Sequence, residues 1–345
     1  MVVHRKEAKF MHDVEDRIQH NATDSAVKYG LYKTVYNDWS GDIKDYSVSP
    51  YTDSSEAFHD GDYDEIKKRA KLDGYLYIKG ALDVKRNMSL RDDALRICDE
   101  QNLLLKDDIL RDGVDVNSGS GPHVFWDKCV KLQSFNEYLH KELPLLKLFS
   151  HMYGEEFVLL PRALFRFFKN NGEFSKLHQD FWYSGVARNM WTAWVPLGDI
   201  PMDKGVIVIA KDSHLNLGFV PNEDRFYDQS NQITFKLKKD DYKWLTNDFE
   251  SGDVFLFHNL LAHFSTTNTT NHLRFSADYR VIPLSDPLAD YFFIPHMTEH
   301  TWDEIYEDWD STDYQWHWKH LESKFISPDE IDETTNNIMS HTTQF

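Results

Sequence analysis

Apolar positions along this chain change period near residue 156. Before it they recur mostly at helical spacing; after it they alternate with polar residues over short runs, as strands do. In the first part, 64–70 reads as a short helix and 74–80, alternating and closed by glycine, as a strand. Residues 89–105 predict a helix packed across a sheet. Leu90, Ala94, Leu95, Ile97 and Cys98 fall on one side of it, and Ser89 with Asp92 and Asp93 opens it like a capping box. Residues 117–122 read as a loop. Residues 135–153 predict another helix, which Pro144 should kink or split.

From Glu156 onward the candidate strands are 157–168, 191–196, 206–210, 232–237, 254–257 and 274–281. Short strands separated by turn signals imply a sandwich or barrel. Residues 1–62 read as an acidic N-terminal arm with a short helix over 6–20. Its tyrosines (Tyr29, Tyr32, Tyr36, Tyr46, Tyr51) favour packing on the body over a free tail. The main domain spans 63–298. Residues 299–345 read as an acidic, aromatic helical extension in which Trp302, Trp309, Trp316 and Trp318 cover apolar surface; a lid or dimer contact is the competing reading.

Charge and composition narrow the function. Lys plus Arg number 38 against 57 Asp plus Glu, a net charge of -19, which argues against a nucleic-acid partner or an anionic membrane. No apolar run approaches the roughly 20 residues of a membrane span. The two cysteines, Cys98 and Cys129, lack metal-site spacing and read as buried apolar fillers of a reduced protein. Residues 1–15 lack the apolar core of a signal peptide, and 343–345 form no peroxisomal tripeptide, so the expectation is a cytoplasmic protein.

The chemistry centres on His178-Gln179-Asp180. On an extended segment the imidazole and the carboxylate share a face. With one further imidazole they make the facial triad of non-haem Fe(II) oxygenases. His263 and His258 compete for the third place. They stand five apart and so face opposite ways on one strand, and Ser265 and the distance to Arg274 favour His263. Arg274 follows by eleven residues, placed to clamp a carboxylate as the bidentate cation that 2-oxoglutarate needs. Arg280, on the same face, is its rival.

Lys131-Leu132-Gln133-Ser134-Phe135, Leu177 to Asp180, Trp191-Thr192-Ala193-Trp194, Gly205 to Ile209 followed by His214, and Leu261 to Ser265 followed by Arg274 occur in one order. In that order and spacing, from about Asp64 to Pro283, the chain resembles the phytanoyl-CoA dioxygenase family. The resemblance implies a mainly β fold with flanking helices, a double-stranded β-helix of jelly-roll, cupin-like type. It implies Fe(II) on His178, Asp180 and His263, with 2-oxoglutarate and O2 as co-substrates. Arg274 would bind the distal carboxylate of 2-oxoglutarate, and Lys131, Trp191 and Ser265 match positions that contact the same molecule.

The activity expected is a dioxygenase that oxidises an unactivated C–H bond of a small molecule and releases succinate and carbon dioxide. Hydroxylation ranks first; oxidative cyclisation or desaturation is the alternative. A halogenase would need the metal position that Asp180 fills. Arg162 and Arg166, four apart on a strand, with Arg188, Trp182 and Tyr183 nearby, suggest an anionic substrate such as a carboxylated metabolite or a coenzyme A thioester. Surface salt bridging explains the arginines equally well. From a different class, a cupin-like binding module remains open, whereas a demethylase of protein or nucleic acid is disfavoured because no basic groove is visible.

Overall fold

The structure, a computed structural model, describes residues 42–104, 122–172, 174–184, 186–218, 220, 225–227, 233–235, 237, 239–296 and 298–326. The expected helix over 6–20, Tyr29, Tyr32, Tyr36 and nearly all of the 117–122 loop lie outside the described residues. The strands are β1 Val48–Ser49, β2 Tyr75–Ile78, β3 Phe157–Leu159, β4 Leu164–Phe168, β5 Trp191–Pro196, β6 Ile207–Ala210 and β7 Arg225–Tyr227. They continue as β8 Ile233–Phe235, β9 Trp244–Leu245, β10 Val254–His258, β11 His263–Ser265, β12 Arg274–Pro283, β13 Leu288–Ala289 and β14 Phe325–Ile326.

Two sheets carry the architecture. The larger runs β2-β10-β5-β12-β3, with β4 also paired to β12, and the smaller runs β1-β9-β6-β11. Every pairing in the larger sheet is antiparallel; in the smaller, only β1 with β9 is parallel. Between them lies an aromatic core to which Tyr75, Tyr77, Trp194, Phe255 and Phe257 contribute from one side and Ile207, Ile209, Trp244 and Phe264 from the other. One antiparallel and one mixed sheet, with flanking helices, make up the fold, in the jelly-roll class expected.

Alternation decides what each strand shows to each layer. On β12, Phe275, Ala277, Tyr279 and Val281 face the outer core, where helices Val84–Glu100 and Leu143–Tyr153 pack. Arg274, Ser276, Asp278 and Arg280 therefore point the other way, into the interior. Polar side chains inside and apolar ones outside invert the usual sheet pattern, and the inversion marks a site.

Three elements differ from the sequence expectation. The helix predicted from Ser89 begins at Val84, because the Asp83 side chain accepts from Arg86 N at 3.0 Å and supplies the cap six residues earlier. Pro144 splits the 135–153 helix into Gln133–Asn136, a 3-10 turn at Leu139–Lys141, and Leu143–Tyr153, in whose first turn its missing N–H costs nothing. The long strand predicted at 157–168 is two strands broken around Pro161, which cannot donate to a ladder.

The extension is built of short pieces, the helix Trp302–Tyr306 and a 3-10 helix at Lys319–Lys324, and is not one helix. Strand β14 pairs in parallel with β13. Trp302, Trp309, Trp316 and Trp318 of the extension pack with Phe293 and Phe325 over Val158, Leu160 and Ile282. At the other end, Tyr46 and Tyr51 of the arm are buried, and the Tyr51 hydroxyl donates to Ile207 O at 2.7 Å. Among the described residues no helix is long and apolar enough to cross a membrane.

Candidate active site

His178 and His263 are brought face to face by backbone pairing. His178 N donates to His263 O at 2.9 Å, His263 N donates to His178 O at 3.0 Å, and the ring centroids stand 4.2 Å apart. Beyond Asp180 the chain turns into the short helix Phe181–Ser184, whose Tyr183 and Ser184 N–H groups donate to Asp180 O. One Asp180 oxygen, Oδ1, thus lies 3.5 Å from His178 Nε2 and 3.9 Å from His263 Nε2. Ligand atoms of all three residues fall within 4.8 Å of one another, and all three are buried.

The hydrogen bonds select the ligating atoms. Both Nδ1 atoms sit against carbonyls, His178 at 2.6 Å from Lys176 O and His263 at 2.9 Å from Leu261 O. A carbonyl only accepts, so Nδ1 carries the proton and the Nε2 lone pairs point inward. Asp180 Oδ2 accepts from Thr192 Oγ1 at 2.7 Å and lies 3.7 Å from Arg280 Nε, which reserves Oδ1 for a metal. Burial opposes ionisation of Asp180, but the Arg280 charge beside it works the other way, and the carboxyl is held well below its ordinary range. Burial, followed by the neighbouring His178, pushes His263 down to about 3, so its imidazole is neutral and able to coordinate.

Arg274 is 1 % exposed, yet among the described residues its Nε and Nη1 have no hydrogen-bond partner. The guanidinium lies 4.4 Å from the Phe168 ring centroid and 5.1 Å from that of Trp194. Burial, with Arg166 adding to it, pushes its pKa down to about 9. Ser276 Oγ and Asp278 Oδ1, two and four residues along the same face, are also buried without partners among the described residues. Each such group costs about 1–3 kcal/mol, more when charged, until something pairs with it. A carboxylate fits the arginine. Arg166 acts electrostatically on both His263 and Arg274, which places the two halves in one interior.

The other candidates are spread more widely. Arg166 donates to Asp278 Oδ2 at 2.7 Å and to Ser175 Oγ at 3.1 Å. Arg162 donates to Tyr291 O at 3.2 Å and lies 2.7 Å from His296 Nδ1. Arg188 is exposed beside Asp286. Trp182 packs edge-on against Phe235, and half-exposed Tyr183 stands edge-on to the His178 ring. Ser265, on the His263 face of β11, accepts from Ser175 N at 2.9 Å.

Lys131 and Trp191 are not brought to Arg274. The Lys131 carbonyl accepts from Trp309 in the extension, and Trp191 faces the outer core with its indole donating to Asn189. Trp194, three residues on and on the opposite face, takes the place beside the guanidinium. His258 lies outside the triad, its Nδ1 accepting from Leu260 N, and burial pushes it down to about 3. His214 is packed under Gly74, where an added Cβ would lie 2.5 Å from the ring. Thr192, Ser276 and Phe168 were missed in the sequence. The even-numbered polar run from 274 to 280 was the one signal that pointed to Ser276.

A model of the phytanoyl-CoA dioxygenase family matches residues 70–276, more than half of the chain. The chain belongs to the phytanoyl-CoA dioxygenase family. Membership makes it an iron- and 2-oxoglutarate-dependent oxygenase, and the triad and the unpaired arginine fit those two groups. It is 25% identical over 274 residues to the 1-deoxypentalenic acid 11-beta-hydroxylase of Streptomyces exfoliatus, covering 70% of this chain and 87% of that one. It is 28% identical over 153 residues to the Streptomyces arenae enzyme of the same description, covering 41% of this chain and 54% of that one. Among solved structures it is similar to SnoN, the non-heme alpha-ketoglutarate-dependent epimerase from nogalamycin biosynthesis, with a TM-score of 0.48 and 18% identity over 65% of this chain and 84% of that one.

Proposed function

We propose that this family member hydroxylates an unactivated C–H bond of a small anionic metabolite. Bound at the triad, iron(II) with 2-oxoglutarate and dioxygen supplies the oxidising power, and 2-oxoglutarate leaves as succinate and carbon dioxide. His178 and His263 offer Nε2, and Asp180 offers Oδ1 while Thr192 holds Oδ2. Arg274 receives the distal carboxylate of 2-oxoglutarate between Phe168 and Trp194, with Ser276 alongside. The observation that carries this reading is the buried Arg274, two of whose nitrogens are unpaired among the described residues, which a binding module without an anionic co-substrate would not maintain.

The relatives named as hydroxylases of 1-deoxypentalenic acid support hydroxylation and an acidic substrate. Cys98 and Cys129 are buried and not disulfide-bonded, which supports a reducing compartment such as the cytoplasm. The test is 2-oxoglutarate turnover by iron-loaded protein across a panel of carboxylic-acid metabolites. The expected result is an acid that accelerates succinate formation and gains one oxygen atom. Succinate formation no faster than in Asp180→Ala, with every acid returned unchanged, would contradict it.

A further inference from the structure

The interior of the larger sheet holds more arginine than its own carboxylates answer. Of the four arginines near the triad, Arg166 pairs with Asp278 and Arg274 stands ready for 2-oxoglutarate. Arg162 and Arg280 remain. The partners of Arg162 are neutral, the Tyr291 carbonyl and His296 Nδ1, and among the described residues no carboxylate pairs with it. The Arg280 guanidinium makes no hydrogen bond among the described residues and shares Asp180 from 3.7 Å through Nε alone. The two guanidinium groups repel each other: burial, with Arg280 adding to it, pushes Arg162 down to about 10. Holding like charges together in a half-dry space is unfavourable unless an anion sits between them.

We infer that Arg162, Arg280 and His296 form a second anion subsite, distinct from Arg274, that takes the carboxylate of the oxidised substrate. This rests on the oxygenase reading and assigns its substrate class. His296 Nδ1 accepts from Arg162 Nη2, so the ring proton lies on Nε2 and is available as a donor. One arginine without any counter-charge and one shared with Asp180 leave between one and two positive charges, which suits a monoanionic carboxylate. Because Arg280 touches both this subsite and Asp180, it ties the substrate carboxylate to the metal ligand and fixes which C–H bond approaches.

The test uses the full chain, anaerobic, with Fe(II) and saturating 2-oxoglutarate, and benzoate as probe against its neutral isostere benzamide. Thermal shift and tryptophan fluorescence read binding, and visible absorption reads the iron–2-oxoglutarate complex separately. Benzoate is expected to bind and benzamide not. Arg162→Gln and Arg280→Gln should each weaken benzoate about tenfold or more, and Arg162→Lys should recover part of the loss. The absorption band should survive in Arg162→Gln, which keeps the test open if Arg280→Gln disturbs Asp180. Equal binding of benzoate and benzamide, or benzoate binding unchanged in Arg162→Gln, would overturn the subsite. Loss of the band in unsubstituted protein would instead sink the oxygenase reading beneath it.

Discussion

Two histidine pairs in this molecule look alike and do different things. His178 and His263 stand 4.2 Å apart between ring centroids; His140 and His317, under the C-terminal extension, stand 4.3 Å apart. In the first pair each Nδ1 is spent on a carbonyl and each Nε2 faces a carboxylate oxygen. In the second, His317 has Tyr314 O at Nδ1 and Leu159 O at Nε2, so no lone pair is directed at its neighbour. No acidic group joins that pair among the described residues. Burial, then His317, pushes His140 down to about 3, and burial pushes His317 down as well. Proximity of imidazoles therefore does not make a metal centre. A carboxylate and two inward Nε2 atoms do.

The sharpest way to break that contrast is to remove the carboxylate. Asp180→Ala should lower affinity for Fe(II), or for Co(II) as a stable probe, by at least the order of 10²-fold. Calorimetry should show one bound metal in the unsubstituted protein and none in the variant; a full equivalent retained by the variant would mean that another cluster binds it. Arg274→Ala should leave metal binding intact but weaken 2-oxoglutarate by about 10²–10³-fold, as for a buried charge pair. Equilibrium dialysis of 2-oxoglutarate checks this, and an unchanged Kd would return the role to Arg280.

The second pair makes a pH prediction of opposite character. His140 has a folded pKa below its unfolded value, so the unfolded chain binds the extra proton and stability falls with pH below about 6.5. Between pH 6.5 and 5 the loss from His140 is about 2 kcal/mol. Melts followed by the tryptophans of the extension should shift down over that window, and His140→Phe should flatten the slope. An identical slope in the variant would exclude His140 as the cause. The smallest effect expected is from Thr192→Val, which leaves Asp180 Oδ2 without its donor and should cost about tenfold in metal affinity. Metal affinity equal to that of unsubstituted protein would show that Thr192 does not orient the ligand.

The triad was legible because His-x-Asp is a local pattern and because the order of motifs carries information that single residues lack. Parity also served well: Arg274 and Arg280, six apart, do share a face. Parity could not say which face of β5 looks inward, since both are buried, and so the sequence could not choose between Trp191 and Trp194. Thr192 and Ser276 escaped notice because a hydroxyl on a strand reads as filler until its partner is seen. Element ends followed local chemistry that competed with the reading: Asp83 capped a helix that Ser89 seemed to open. The His140–His317 pair depends on a contact 177 residues long, which no periodicity announces.

The most direct test of the central claim is visible absorption of anaerobic, Fe(II)-loaded protein before and after 2-oxoglutarate, with Asp180→Ala and Arg274→Ala in parallel. A charge-transfer band that needs 2-oxoglutarate, is lost in Asp180→Ala and needs far more 2-oxoglutarate in Arg274→Ala, is the result predicted. Unsubstituted protein with bound iron and no such band would contradict the account.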